Sequence, residues 1–139
     1  MSMRQYEAWL GFERDWPLDP PQVIVVCGSR TYTDRAAIRR TLGEYLPPDP
    51  WMEEPTVLHG GCRGADKLAH EEAADLGFWV GECAADWDKH GRAAGPIRNR
   101  QMLDKKPDLV IAFGRGRGTD DTVCEARKRG IPVREVDRV

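Results

Sequence analysis

The chain has 139 residues, a formal net charge of −2, 40% hydrophobic and 32% charged residues. That length holds one domain with a single sizeable core, and the composition is that of an ordinary soluble globular protein. A charge so near zero excludes a general electrostatic pull toward nucleic acid or membrane, and no run approaches the roughly 18 apolar residues of a membrane span.

Residues 1–21 stand apart. Tyr6, Trp9 and Leu10 have i, i+3, i+4 spacing, and Phe12 and Trp16 add aromatic area, which predicts a short amphipathic helix. Pro17 and the pair Pro20-Pro21 stop it. Its aromatics are expected on the main domain or a neighbouring subunit, with partner binding as the other reading. Its acids and broken apolar pattern do not fit a signal peptide. Residues 22–139 form the main domain. Residues 22–27 are a β-branched run bounded by proline and glycine, as in a buried central strand. Thr33 is the expected N-cap of a helix over 34–45, with Ala37, Ile38, Thr41, Leu42 and Tyr45 as its inner face.

The four prolines of residues 47–55 make a loop, and residues 56–58 a second strand. Ala65, Leu68, Ala69, Ala73 and Leu76 form the apolar stripe of the next helix, which Gly77 closes. Residues 78–84 are a third strand. A polar loop of about a dozen residues follows, long enough to be read as functional, before a helix expected to start near Pro96. Residues 109–113 are a fourth strand. Thr119 is the expected N-cap of a helix reaching about Arg129, ended by Gly130 and Pro132. Residues 133–136 are a fifth strand. This alternation predicts an α/β, Rossmann-like three-layer domain with a mostly parallel sheet of about five strands.

Function is expected at the carboxyl edge of that sheet. Three strands end in glycine turns there: CGSR at 27–30, HGGCRGAD at 59–66 and FGRGRGT at 113–119. Glycine lets backbone approach a ligand, and a following helix start favours an anion. A phosphate-bearing small molecule fits these turns; tight turns without a ligand are the alternative. Arg98 offers a fork for phosphate and Asn99 both donates and accepts. The expected ligand-binding set is Gly28, Ser29, Arg30, Gly60, Gly61, Arg63, Gly64, Asp66, Arg98, Asn99, Gly114, Gly116, Gly118 and Thr119. Asp66 is read as a helix-dipole charge or a ribose contact, and Trp87 as a base-stacking or loop-anchoring ring. His59 is read as a loop hydrogen-bonding group, and Glu125 as solvated. The basic run Arg127, Lys128 and Arg129 reads as a solvated face.

No metal or cofactor is expected, because His70, His90 and the cysteines Cys27, Cys62, Cys83 and Cys124 lack metal-ligand spacing. Scattered cysteines in an α/β chain point to a reduced, cytoplasmic setting.

The joint occurrence of HGG-x-x-GAD, GP-x-RN and the glycine-rich third turn resembles the SLOG superfamily, the Rossmann-like group of SMF/DprA and Lonely-guy proteins. It is most similar to the YspA-like branch, common in bacteria and phages. The resemblance covers about residues 22–136 and implies a nucleotide or nucleotide-derived ligand, of nucleoside monophosphate or ADP-ribose type. Lonely-guy enzymes hydrolyse the N-glycosidic bond of nucleoside 5′-monophosphates with an arginine and a P-G-G-x-G-T-x-x-E motif. Arg98 matches the arginine, whereas Thr122 stands at the Glu position. Asp120 and Asp121 are therefore the candidate catalytic carboxylates beside Arg98, or else plain helix-dipole charges. A nucleotide sensor or sequestering module, a phosphoribohydrolase and a single-stranded DNA binder are the three functions implied. A homodimer is expected.

Overall fold

A computed structural model describes residues 21–138; the aromatic segment expected before them lies outside the described residues. Five strands, β1 (Val23–Gly28), β2 (Thr56–His59), β3 (Trp79–Glu82), β4 (Leu109–Phe113) and β5 (Val133–Val136), pair in the order β3-β2-β1-β4-β5, all parallel. The expected fold class is borne out. β1 is central because its residues have no polar side chain to present: Ile24, Val25 and Val26 are fully buried, and β4 is buried along its whole length. The start of β1 is pinned by Asp108, whose Oδ2 accepts the N–H groups of Gln22 and Val23 at 2.8 and 3.0 Å.

Helices α1 (Arg35–Gly43) and α2 (Ala65–Leu76) cover one face of the sheet. There Ile38, Leu42, Ala65, Ala69 and Ala73 meet Ile24, Val26, Ile111 and Phe113. The small residues of α2 let it lie close, and Gly77 ends it in a left-handed conformation at φ 98°. Helices α4 (Ala94–Asp104) and α5 (Arg117–Lys128) cover the other face, packing Met102, Leu103, Val123 and Ala126 on Val25, Val110 and Ala112. Each fully buried aliphatic side chain stabilises the fold by about 1.5–3 kcal/mol.

Several element boundaries differ from those the residues suggest; the third strand, for one, covers Trp79–Glu82 instead of residues 78–84. The first helix is capped by Asp34, not Thr33, because the Asp34 carboxylate accepts the Ala37 N–H at 3.0 Å. The loop after β3 contains a one-turn helix, α3 (Trp87–His90), and a 3-10 turn (Gly91–Ala93). Helix α4 therefore starts at Ala94, with Pro96 third in it and Arg98 and Asn99 a turn inside it. The fifth helix starts at Arg117 behind Gly116, so Thr119 is its third residue and not its cap.

Candidate functional site

Strand order reverses between β1 and β4, and a parallel sheet leaves a crevice at such a point. A cavity of about 420 Å³ opens there. Its walls are residues 28–31 after β1, Gly60 and Cys62 after β2, and Asp66 on α2. Arg98, Asn99 and Met102 of α4 add a second side, and residues 115–119 with Thr122 complete it.

The loop after β2 is held from within the protein. Asp66 Oδ2 accepts the N–H groups of Gly60 and Cys62, both at 3.2 Å. Arg98 donates to the Gly60 carbonyl, to Asn99 Oδ1 at 3.0 Å and to the Cys62 sulfur at 3.7 Å. A Cβ at position 60 would stand 2.6 Å from the Arg98 guanidinium and displace it from its bonds to the loop. Gly28 is held more strictly: a Cβ there would lie 2.4 Å from the Phe113 carbonyl oxygen, which is fixed in the backbone. The first N–H of α2, on Ala65, donates to the Ser29 carbonyl at 3.0 Å. With Asp66 in its first turn, the positive end of α2 thus carries its own anion.

The start of α5 is arranged differently. The first intrahelical bond is that of the Asp120 N–H to the Gly116 carbonyl at 2.8 Å, so the N–H groups of residues 117–119 have no intrahelical acceptor. Thr119 is 4% exposed and lines the cavity, yet its hydroxyl has no hydrogen-bond partner among the described residues. The neighbouring Thr122 hydroxyl, by contrast, donates to the Gly118 carbonyl at 3.0 Å. Arg30, Arg115 and Arg117 reach the cavity from exposed positions, and none has an ion-pair partner among the described residues.

Burial pushes the Asp66 carboxyl up to about 6, against the downward pull of its two N–H bonds and of the Arg98 and Arg30 charges. Burial likewise drives the Cys27 thiol far above the ordinary thiol range, with Asp66 adding to it, so Cys27 is no nucleophile at neutral pH. His59 is held below the usual imidazole value by burial and then by His70. Its Nδ1 accepts the Gly61 N–H at 3.0 Å. Its Nε2 therefore carries the proton and donates it to His70 Nδ1 at 2.7 Å.

A family model described as the YspA, cpYpsA-related SLOG family matches residues 22–90. The Gene 61 protein of Mycobacterium phage D29 is 38% identical over 117 residues, covering 79% of this chain and 92% of the relative. The chain belongs to the YspA, cpYpsA-related SLOG family. Among solved structures it is similar to DNA processing protein A (DprA) from Streptococcus pneumoniae, with a TM-score of 0.61 and 16% identity. That match covers 81% of this chain and 49% of the DprA chain, so the chain spans about half of that protein. The molybdenum cofactor carrier protein MCP from Chlamydomonas reinhardtii gives a TM-score of 0.62 at 21% identity, covering 84% of this chain and 78% of that one. These two likenesses show the fold.

In this SLOG chain the cavity gathers Gly28, Ser29, Arg30, Gly60, Asp66, Arg98, Asn99, Gly116, Gly118 and Thr119 from the expected ligand set. Gly61, Arg63, Gly64 and Gly114 lie outside its lining. Gly64 serves the backbone instead. At φ 75° it packs under the Ser29 and Arg30 carbonyls, 2.4 and 2.5 Å from where a Cβ would stand.

Asp120 and Asp121 also lie outside the lining. Asp120 is paired with Arg138 at 2.8 Å, and Asp121 accepts from Asn99 Nδ2 at 3.1 Å. Glu125 is half-buried and takes the Arg129 Nε at 3.2 Å rather than facing solvent. His70 is hydrogen-bonded to His59, which strand–helix packing brings to it. Trp87 is 53% exposed, with its ring over Gly95. Arg115 and Arg117 are the charged cavity residues missing from the expected set, and their signal was their place between the glycines of GRGRG; Thr31, Cys62, Met102 and Thr122 also line the cavity without having been expected there.

Among the described residues no group of three or more His, Cys, Asp or Glu is placed to hold a metal ion. No helix among them is long and apolar enough to cross a membrane.

Proposed function

We propose that the protein binds a nucleotide or nucleotide-derived ligand, of nucleoside monophosphate or ADP-ribose type, and serves as a sensor or sequestering module. The observation that carries this is the start of α5, where N–H groups lacking intrahelical acceptors meet a buried hydroxyl without a partner. Beside them, Arg30, Arg115 and Arg117 lack counter-ions among the described residues. Such a helix start favours a phosphate, and arginine suits it geometrically. About 420 Å³ is within the range of small-molecule sites.

Binding is preferred to phosphoribohydrolase activity because cleavage of a glycosidic bond builds positive charge on the ribose, and a carboxylate is wanted near it. Thr122 is committed to Gly118, and neither Asp120, paired with Arg138, nor Asp121, which takes the Nδ2 of the cavity residue Asn99, lines the cavity itself. The test is calorimetric titration with nucleoside 5′-monophosphates, ADP-ribose and a single-stranded oligonucleotide at two salt concentrations, with chromatography of the same samples for released base. Saturable binding of a mononucleotide without base release supports the reading. Base release by the parent but not by Arg98→Ala returns the hydrolase. Oligonucleotide binding that falls steeply with salt, without mononucleotide binding, returns the DNA binder. The homodimer belongs to the same proposal: β3 is an edge strand bearing Trp79, 63% exposed. Light scattering tests it.

A further inference from the structure

The cavity has two chemically opposite ends. At the α5 end the groups left open are the N–H groups of residues 117–119, the Thr119 hydroxyl and the guanidinium groups of Arg115 and Arg117, whereas the Gly116 and Gly118 carbonyls are taken up within the protein. Asp66 is the only carboxylate among the described residues that line the cavity. It is 6% exposed, and only one of its oxygens is satisfied by the loop: Oδ2 holds the Gly60 and Cys62 N–H groups, while Oδ1 has no hydrogen-bond partner among the described residues. A buried acceptor left open in this way calls for a donor. The dianion of a phosphate monoester has no O–H to supply, and any phosphate anion is repelled by the carboxylate. A sugar hydroxyl can supply one.

We propose that Asp66 is the sugar-recognising residue of this site, accepting a ribose hydroxyl on Oδ1, so that the cavity selects a hydroxyl-bearing sugar phosphate over free phosphate. The inference rests on the ligand reading above and adds polarity to it: phosphate at the start of α5, hydroxyl at Asp66. Because burial raises the Asp66 carboxyl to about 6, the selection weakens below that pH, where the protonated group no longer offers a charged acceptor.

Three probes separate the possibilities: AMP, 2′,3′-dideoxy-AMP and inorganic phosphate, titrated at pH 7.5 into the full chain and into Asp66→Asn. The amide oxygen of Asn can take the place of Oδ2 and keep both loop bonds, and circular dichroism checks the fold. The parent should bind AMP about tenfold tighter than the dideoxy form, as for loss of a charge-assisted hydrogen bond. In Asp66→Asn that gap should close to about threefold or less, with phosphate binding unchanged or tighter. In the parent alone, the gap should narrow between pH 7.5 and 5. Equal weakening of AMP and dideoxy-AMP by the substitution makes Asp66 a loop support and overturns the inference. Phosphate and AMP binding with no discrimination against the dideoxy form also overturns it, while leaving the cavity as the ligand site. Binding of none of the three probes removes the nucleoside monophosphate reading on which the inference rests, and the inference with it.

Discussion

Replacing Asp66 with Asn gives a stability change whose dependence on pH follows from the structure. The carboxyl titrates near 3.8 when exposed and at about 6 in the fold. That is a displacement of about two units, worth about 3 kcal/mol at about 1.4 kcal/mol per unit. The sign follows from which state holds the proton. Between these two values the folded protein binds a proton that the unfolded chain has released, so this contribution to stability is fully present below pH 3.8. It is lost as pH rises through about 6. Asn has no proton to release. The variant's stability minus the parent's should therefore rise by about 2.5 kcal/mol between pH 4 and pH 7, most of the full displacement. His59 has the opposite sign, since its lowered pKa favours the fold above the ordinary histidine value, but it is common to both proteins and drops out of the difference. Urea denaturation of both proteins at pH 4, 5, 6 and 7 measures it. A difference that stays flat, or that falls with pH, refutes the claim that burial outweighs the two N–H bonds and the neighbouring arginines at Asp66.

Gly28→Ala should lower stability by about 2–3 kcal/mol in the same urea assay, because the new Cβ meets the Phe113 carbonyl and the Ala65 Cβ, and neither can swing away. Thr119→Val keeps the shape and removes one hydroxyl. It should weaken binding of a phosphate-bearing ligand about fivefold or more by calorimetry and leave the urea midpoint nearly unchanged. Arg98→Lys loses the planar fork that serves the Gly60 carbonyl, Asn99 and Cys62 together. A loss of about 1–3 kcal/mol in stability is expected, with the loop after β2 showing faster hydrogen exchange. In nitrogen NMR, His59 should show the Nε2–H tautomer and titrate below the ordinary histidine value; an Nδ1–H signal contradicts the bond from Gly61.

The sheet was legible because buried parallel strands must be continuously apolar. Residues 109–113 are all buried, and no other local structure absorbs such a run between glycine and proline. Helix α2 was legible for a second reason: its small-residue stripe and Gly77 agree on where it lies and where it stops. The start of α5 was not, because threonine is the better N-cap by preference. Here Thr119 is the third helical residue and lines the cavity, its hydroxyl without a partner among the described residues, and Gly116, in an extended conformation, takes the cap position. The one-turn helix after β3 escaped because four residues show no period, although Asp86 does accept the Lys89 N–H at 3.1 Å. In the site, residue types pointed to the three turns but not to the direction each faces. Asp66 and Arg98 look alike as ligand groups in sequence, yet the fold ties both to the loop after β2: Arg98 spends its guanidinium on Gly60, Asn99 and Cys62, while Asp66 gives one oxygen to the loop and keeps the other open.

The central position of β1 has a consequence for how the protein assembles. Its first residues are fastened to Asp108, 85 residues further along, and its pairing with β4 runs through to Gly28 and Phe113. Contacts so distant in sequence form slowly. The cavity draws on segments near residues 28, 62, 98 and 117, so on a chain emerging from the ribosome it cannot exist until the fifth helix has been made. A ligand that needs the finished cavity has nothing to hold before then. It should leave the folding rate unchanged and slow unfolding instead, lengthening the life of the folded protein in proportion to its occupancy.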